Sequence, residues 1–491
     1  MSLAPRARLL AITALAFCSA LLLAGAAATV QVSRTDAAVW AYRDAHPGAA
    51  IPVIAQAAPG RDPGALVAAA GGTVHADLGL IHAVSATVPE NRLNALSTTP
   101  GITWLSLDGS VSSTSGPGSA TSSTLPSVYP QEIAADKLWG TGDRGQGVGV
   151  AVVDTGITKS DDFGDRIVAS VSRDGSTGDA FGHGSHVAGL VGGSGSNSDG
   201  TYTGVAPKVN LIDVNIGGST GTATVGDVIN GLQWVLDHKD TYNIRVVNLS
   251  LSSNTAQSYL TDPLDAAVEL LTFRGILVVA AAGNSGVNTV NYAPGNDPFV
   301  LTVGALDDKG TIDYKDDSVP VWSSRGTTQD GYAKPDVYAP GRNLVSVLSQ
   351  NSYLAQLLPA NIVGSKYFRL SGTSMSAGVM SGAAALLLNQ HPGWTPGQVK
   401  AALMRTALPL PADATADVPQ LDKATTANPV DASVTIPPNQ LLLTAAGVSP
   451  QSISWGSVSW GSISWGSISW SSISWGSISW GSVSWGSVPN D

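Results

Sequence analysis

The chain has almost no cysteine and few charged side chains. Of its 491 residues, one is a cysteine, Cys18, and 12% are charged. A single cysteine excludes an intramolecular disulfide, so stability has to come from core packing, to which bound ions could add. No run of basic residues is present and the formal net charge is −11. This argues against a nucleic-acid-binding protein, which needs clustered Lys and Arg. The length allows two or three domains.

The N-terminus has the order of a secretory signal. Arg6 and Arg8 precede an apolar stretch at 9–28 that ends in the small residues AGAAA. A positive flank, an apolar middle and a small-residue end are typical of a cleaved signal peptide. Residues 1–28 are therefore predicted to be a signal peptide of a secreted protein, and Cys18 would be lost with it. An uncleaved membrane anchor is the alternative, because the stretch is long enough to span a bilayer.

A small domain is expected before the main one. Short strands are predicted at 51–54, 72–88 (a pair) and 102–105, with helices at 62–70 and 90–97. The order β-α-β-β-α-β is that of a ferredoxin-like unit. The uncharged Ser, Thr, Gly and Pro of 110–127 predict a flexible linker. This arrangement behind a signal suggests a propeptide, and a stable two-domain protein is the alternative.

The larger zone alternates apolar β-formers with helical stretches. Strands are predicted at 147–153, 209–214, 244–249 and 275–281, and helices at 224–239 and 260–273. Near-continuous apolar strands of this kind predict an α/β fold, with a mostly parallel sheet and helices on both faces. Functional groups collect past the carboxyl ends of such strands. Asp154, Ser250 and Asn284 stand at those positions.

Three segments carry residues that suit acyl transfer. Asp154 lies in VVDTG, His183 in GHGSHVAG, and Ser374 in GTSMSA at the start of an apolar helix. Singly these would be a turn former, a packed polar residue and a helix cap. Together they supply a nucleophile, a general base and a carboxylate that fixes the base's tautomer. Asn284, in AAGNSG, adds an amide suited to stabilise an oxyanion. A zinc site at His183 and His186 lacks a Glu and a third ligand.

These motifs resemble those of the subtilisin-like serine proteases, and they follow the family's order Asp, His, Ser. The segments VNLSL at 247–251 and KPDVYAPG at 334–341 add to the resemblance. The resemblance covers 131–408, the expected catalytic domain. It implies that Ser374 is the nucleophile, His183 the general base and Asp154 the group that orients it. Asn284 and the backbone N–H of Ser374 would form the oxyanion hole. The expected activity is that of a secreted endopeptidase acting on proteins or peptides.

The resemblance also implies where a substrate binds. Ser250, Leu251 and Ser252 would line one side of the substrate backbone. Ala281, Ala282 and Gly283 would form the other wall of the pocket. The pocket floor is expected near residues 291–292. Ser252 stands where the family commonly has Gly.

In the same way, the resemblance implies a ferredoxin-like, inhibitor-type propeptide at 29–112 that acts as an intramolecular inhibitor. Autocleavage would then fall in the linker, 113–130.

No cofactor is required for this chemistry, although structural calcium is common in the family. The chain has an acidic cluster, defined as Asp307, Asp308, Asp313, Asp316 and Asp317. Its spacing matches no rigid calcium loop. It predicts a solvated acidic surface, and no metal site is assigned.

The C-terminal part differs from the rest in composition. Residues 409–450 are polar and contain proline, as in a connector, and 451–491 repeat Ser-Ile/Val-Ser-Trp-Gly, with seven of the 13 tryptophans. A period of five does not keep one face of a helix. Two interpretations are open for this repeat tail. It packs on an apolar patch of the protease domain, or it docks on the cell envelope, a polysaccharide or another copy of the chain.

A protein of another class, a catalytically silent adhesion scaffold, is the rival interpretation. The presence of Asp154, His183, Asn284 and Ser374 together favours the enzyme.

Overall fold

The computed structural model describes residues 34–113, 116–117 and 127–446. The predicted signal peptide, the repeat tail and most of the predicted linker lie outside these residues. No helix within the described ranges is long and apolar enough to cross a membrane.

The first domain is a four-stranded antiparallel sheet in the order β2-β3-β1-β4. Its apolar core, which includes Val53, Val67 and Leu105, fixes the register with Ile51 opposite Val88. The elements follow the order β-α-β-β-α-β after one additional helix: α1 (Ala37–Ala45), β1 (Ala50–Ala57), α2 (Pro63–Ala69), β2 (Thr73–Leu78), β3 (Ala83–Pro89), α3 (Leu93–Ser97) and β4 (Ile102–Leu107). We call residues 35–108 the N-terminal domain.

Two short strands follow this domain, β5 (Ser110–Ser113) and β6 (Gly116–Pro117). The main body then contains a seven-stranded parallel sheet in the order β17-β14-β13-β11-β7-β9-β8. Its strands are β7 (Gly149–Asp154), β8 (Ile167–Ser172), β9 (Asn210–Asn215), β11 (Ile244–Leu249), β13 (Leu277–Ala281), β14 (Leu301–Leu306) and β17 (Val337–Pro340).

Alternate side chains of β7 pack on opposite faces of this sheet. Val150 and Val152 belong to one apolar core, and Ala151 and Val153 to the other, as the two-residue period of a strand requires. Helices cover both faces: α4 (Tyr129–Glu132), α5 (Ala135–Gly140), α6 (His183–Gly192), α7 (Val225–Asp237), α8 (Pro263–Phe273), α9 (Tyr353–Leu357), α10 (Thr373–Gln390), α11 (Pro396–Thr406), α12 (Leu421–Ala424) and α13 (Gln440–Ala445).

The remaining strands form small sheets at the edges of the body. They are β10 (Thr222–Thr224), β12 (Leu251–Ser253), β15 (Gly326–Thr327), β16 (Ala333–Lys334), β18 (Leu344–Val347), β19 (Ile362–Val363), β20 (Tyr367–Ser371), β21 (Leu408–Leu410) and β22 (Asp413–Val418). Single-turn 3₁₀ helices occupy Gly79–Ile81, Glu90–Arg92, Gly164–Arg166, Ser196–Ser198, Tyr314–Asp316, Pro359–Asn361 and Ser433–Thr435.

The predicted flexible linker is wrong at its start. Strand β5 lies between β10 and β12 and is antiparallel to both, and Gly116 in β6 pairs with Ser371 of β20. Ser and Gly have little strand preference of their own. The exposed edges of two neighbouring strands supply the backbone partners instead.

The predicted connector also has more structure than its composition suggests. The β21–β22 hairpin packs against β17, and both Leu410 and Val418 are fully buried there. Helices α12 and α13 are packed as well, with Leu421 and Leu442 buried. Scattered leucines among Pro and Thr are enough to hold this segment on the body.

The acidic cluster is only partly a solvated surface. Asp308 and Asp317 are buried, and Asp317 faces the buried carboxyl of Glu132. Burial beside Asp317 raises the pKa of Glu132 well above its usual value, and burial raises the pKa of Asp317 to about 7. Among the described residues, no three acidic, His or Cys side chains are arranged to hold one metal ion.

This carboxyl pair leads to a prediction about pH. The folded chain holds these protons more tightly than the unfolded chain, whose carboxyl pKa values are about 4. Their contribution to stability is thus fully present below pH 4 and is lost as the pH rises through about 7. In Asp317→Asn an amide replaces the carboxyl and can donate to Glu132 at every pH. The Tm of the variant minus the Tm of the parent should therefore become larger as the pH rises from 5 to 8. The expected change is about 2–4 °C per kcal/mol of relieved repulsion.

Thermal unfolding of the variant and its parent at each pH would measure this. Asp240→Asn, whose carboxylate is exposed, should give a difference in Tm that does not change with pH. A difference between Asp317→Asn and its parent that stays constant from pH 5 to 8 would contradict the prediction.

Candidate active site

A buried carboxylate and imidazole meet at the carboxyl end of the central strand. Asp154 is the last residue of β7, and His183 is the first residue of α6. Asp154 Oδ1 lies 2.7 Å from His183 Nδ1 and also accepts a hydrogen bond of 2.8 Å from the backbone N–H of Thr155. His183 is fully buried, and its Nε2 has no hydrogen-bond partner within the described chain. The pair fixes the proton on Nδ1 and keeps Nε2 available as an acceptor.

Asp179 holds the helix that carries His183. Its Oδ1 accepts hydrogen bonds from Gly182 N (2.6 Å) and Thr155 Oγ1 (2.9 Å), and its Oδ2 accepts one from Ser185 N (2.8 Å). Burial raises the pKa of Asp179 to about 6, although these hydrogen bonds act to lower it. The sequence analysis missed this residue, although an Asp just before a helix is a recognisable capping signal. Asp179 ties the N-terminus of α6 to the loop after β7.

Gly182, the residue before His183, has φ of 103°, and a Cβ there would lie 2.4 Å from Ser352 Oγ. Only glycine fits that position.

The hydroxyl of Ser374 lies at the start of the longest helix among the described residues. Ser374 is the second residue of α10 and is fully buried, and this helix packs directly on α6. Its Oγ donates a 3.0 Å hydrogen bond to the carbonyl oxygen of Ser250 rather than to His183. Ser250 Oγ in turn donates to Ser374 O at 2.9 Å. N–H groups in the first turn of a helix have no acceptor within it, so they are suited to bind an oxyanion.

Asn284 follows β13 and is oriented by Thr373. Its Oδ1 accepts hydrogen bonds from both the backbone N–H and the Oγ1 of Thr373, each 3.0 Å long. Thr373 Oγ1 also accepts from Gly283 N at 3.1 Å. Because Oδ1 is turned to Thr373, the Nδ2 donor is at the opposite end of the amide. Thr373 is a second residue that the sequence analysis did not single out.

A cavity of about 310 Å³ opens beside these residues, and its wall is uncharged. Three of the residues expected to bind substrate line it, namely Ser252, Ala282 and Gly283. Ser250 and Leu251 line a smaller adjoining cavity with Asp154. Ala281 does not line either cavity, because it is a strand residue buried in the core. Further lining comes from Ser253, Asn254, Ser285, Thr289, Tyr292 and Ser324.

The second histidine of the motif has different surroundings. His186 is fully buried, and its Nε2 lies 3.1 Å from Leu344 O and 3.0 Å from Phe368 O. Nε2 therefore carries the proton and donates to both carbonyls. Burial, with the neighbouring His183, lowers the pKa of His186 to about 3. This neutral imidazole ties α6 to β18 and β20.

Taken together, the fold brings a carboxylate–imidazole pair, a helix-terminal hydroxyl and an oriented amide to one edge of a parallel α/β sheet. These groups are those required to transfer an acyl group through a serine ester. The site and fold thus define a protein of the serine hydrolase type.

Comparison with known proteins gives the family. The sequence model of the Subtilase family matches residues 145–435. Serine protease AprX of Bacillus subtilis (strain 168) is 43% identical over 265 residues, which are 52% of this chain and 60% of AprX. Subtilisin Savinase of Lederbergia lenta is 36% identical over 279 residues, 57% of this chain and 90% of Savinase. The chain belongs to the subtilase family of subtilisin-like serine proteases.

A solved structure supports the fold. The crystal structure of fervidolysin from Fervidobacterium pennivorans matches with a TM-score of 0.59 at 22% identity, over 78% of this chain and 62% of that one. The family match extends past residue 408, where the sequence analysis ended the catalytic domain, and includes the β21–β22 hairpin.

Proposed function

We propose that the chain is a secreted serine endopeptidase that hydrolyses peptide bonds through an acyl-enzyme. The observation that carries the proposal is the buried Asp154–His183 pair, 2.7 Å apart, beside the helix whose second residue is Ser374. In the mechanism, Ser374 Oγ turns from Ser250 O to His183 Nε2 and attacks the substrate carbonyl carbon. His183 takes the hydroxyl proton, and the carboxylate of Asp154 stabilises the imidazolium.

The oxyanion of the tetrahedral intermediate would be bound by Asn284 Nδ2 and the backbone N–H of Ser374. His183 then gives its proton to the departing amine. Water, activated by the same imidazole, hydrolyses the ester and returns the hydroxyl to Ser374.

Truncating the amide is expected to lower kcat without changing the fold. Asn284→Ala removes one oxyanion donor, and loss of such a donor in subtilisin costs about 10²–10³ in kcat. Hydrolysis of casein and of a chromogenic peptide would measure it. Asn254→Ala, which removes an amide from the wall of the same cavity, should act on KM far more than on kcat. Equal kcat for Asn284→Ala and wild type would contradict the assignment.

We further propose that the enzyme is made as a proenzyme, with 29–112 as its inhibitory propeptide. Strand β5 occupies the cleft between β10 and β12 as an extra antiparallel strand, with Ser113 opposite Leu251. A substrate would add to the same edges, because β-strand addition satisfies the unpaired backbone groups. The chain therefore blocks its own cleft.

The pairing on either side of Ser374 supports a proposal for the cleavage point. On one side β5 pairs with β12 up to Leu251, and the next residue, Ser250, accepts the Ser374 hydroxyl. On the other side Gly116 pairs with Ser371, three residues before Ser374. We propose that the bond cut is Thr114–Ser115, so that the released segment would end two residues beyond the predicted propeptide, 29–112.

Mass spectrometry of the first processed product tests this placement. The slow Asn284→Ala enzyme is suited to it, because later trimming is then delayed. The expected new N-terminus is Ser115. A first product that begins before residue 110 or after residue 117 would contradict the register argument.

A further inference from the structure

Helix α13 lies between the N-terminal domain and the main body. It contacts β1 and the 3₁₀ turn Gly79–Ile81 on one side and α8 on the other. Leu441 and Leu442 are buried within a single apolar cluster that draws on both parts. Its members on the two sides include Ile54, Leu80 and Ile81 of the N-terminal domain, and Leu264 and Leu271 of α8.

On the side of the body, α13 is anchored through Asn439. This residue is fully buried, and its Nδ2 donates to the carbonyl oxygens of Asp262 (2.8 Å) and Tyr259. Its backbone N–H donates to Glu269 Oε2 at 2.7 Å, and its Oδ1 caps the helix by accepting from Leu441 N at 2.8 Å. The side-chain amide and the backbone N–H of Asn439 thus hold the start of α13 against α8 and against the residues just before α8.

On the other side, Gln56 of β1 links α13 to the N-terminal domain. Its Nε2 donates to Leu441 O and to Ile81 O, each at 2.9 Å, and its Oε1 accepts from Thr103 Oγ1 at 3.2 Å. Gln56 is 2% exposed. A buried amide with these three partners is costly to leave unsatisfied, so it favours the arrangement in which α13 is in place.

We propose that residues 437–446, which we call the C-terminal clasp, form part of the surface that binds the N-terminal domain. The inference rests on the proposed role of that domain as a propeptide. Cleavage at 114–115 breaks none of the contacts made by Gln56, Leu441 or Leu442. The clasp therefore slows departure of the cut domain and sets how long the enzyme stays inhibited after its own cleavage.

The dissociation rate of the cut domain tests the clasp independently of enzyme activity. A recognition site for an unrelated, sequence-specific protease is introduced within 118–126 of the full Ser374→Ala chain. After cleavage by that protease, size-exclusion chromatography at increasing times after dilution measures loss of the N-terminal fragment.

Two variants should release the fragment at least about tenfold faster than the parent. Gln56→Met removes the hydrogen bond to Leu441 O and leaves the body unchanged. A chain that stops after residue 436 removes the clasp from the other side. The expected size follows from a lost buried hydrogen bond and lost leucine packing.

Each variant has a matched control. Thr103→Val removes only the bond to Gln56 Oε1 within the N-terminal domain. A chain that stops after residue 446 loses the repeat tail and keeps the clasp. Both controls should stay within about twofold of the parent.

Equal release rates in Gln56→Met, the chain ending at 436 and the parent would overturn the clasp. Failure of the proposed protease function would appear elsewhere, as a wild-type chain that never cuts itself.

Discussion

Ser374→Ala is expected to remain full length and to hydrolyse no peptide bond. The variant lacks the hydroxyl that forms the acyl-enzyme, whereas the packing of α10 is retained because alanine fits the buried site. In subtilisin, a member of the same family, loss of the nucleophile lowers kcat by about 2 × 10⁶. A similar loss is expected here. Gel analysis of chain length and a peptide assay after external removal of the N-terminal domain would measure both effects.

Ser376→Ala is the matched control for this variant. It removes another buried hydroxyl from the same helix, one that donates to Ala339 O at 3.0 Å. This variant should process itself and retain activity. Self-cleavage by Ser374→Ala at the wild-type rate would contradict the assigned nucleophile.

Asp154→Asn is expected to have the second largest effect, a fall in kcat of about 10⁴ with little change in KM. The carboxylate accepts the Nδ1 proton of His183 at 2.7 Å. An amide carries no charge, and its NH₂ end can donate to Nδ1, which holds the ring with its proton on Nε2. In that tautomer His183 cannot accept the proton of Ser374. The magnitude is the one measured for the equivalent change in chymotrypsin-type proteases.

Steady-state kinetics on a chromogenic peptide would separate kcat from KM. Asp161→Asn, an exposed residue in the loop after the same strand, should behave as wild type. A kcat for Asp154→Asn within tenfold of wild type would be incompatible with Asp154 as the residue that orients His183.

Much of the sheet could be predicted from the sequence because its strands are buried on both faces. The run at 244–249 has the bounds of β11, Ile244–Leu249. The runs at 147–153 and 209–214 differ from β7 and β9 by one or two residues at their ends. In these segments the apolar side chains alone determine the structure, so local composition is sufficient.

The predictions were wrong for segments whose structure depends on contacts with distant parts of the chain. Ser110–Ser113 has the composition of a linker, yet it is a strand because β10 and β12 present free edges to it. The hairpin at 408–418 and α13 are hidden among polar residues, and a few buried leucines dock them. In neither segment do the apolar residues recur at the spacing that is typical of a strand or a helix.

At the site, motif and spacing were enough to single out Asp154, His183, Asn284 and Ser374. The supporting contacts of Asp179 and Thr373 were not apparent, because each depends on residues distant in the chain. The orientation of the Ser374 hydroxyl toward Ser250 O likewise depends on packing between α10 and β11, the strand that ends just before Ser250. Sequence therefore indicates the reacting groups, and the fold supplies their orientation.

The most direct test of the central claim is the site of covalent labelling by a fluorophosphonate probe. The purified chain is treated with the probe after removal of the N-terminal domain, and the adduct is located by peptide mass spectrometry. We expect one adduct, on Ser374, and none in His183→Ala, because the hydroxyl needs the imidazole as its base. No adduct in the wild type, or an adduct on another serine, would contradict the account.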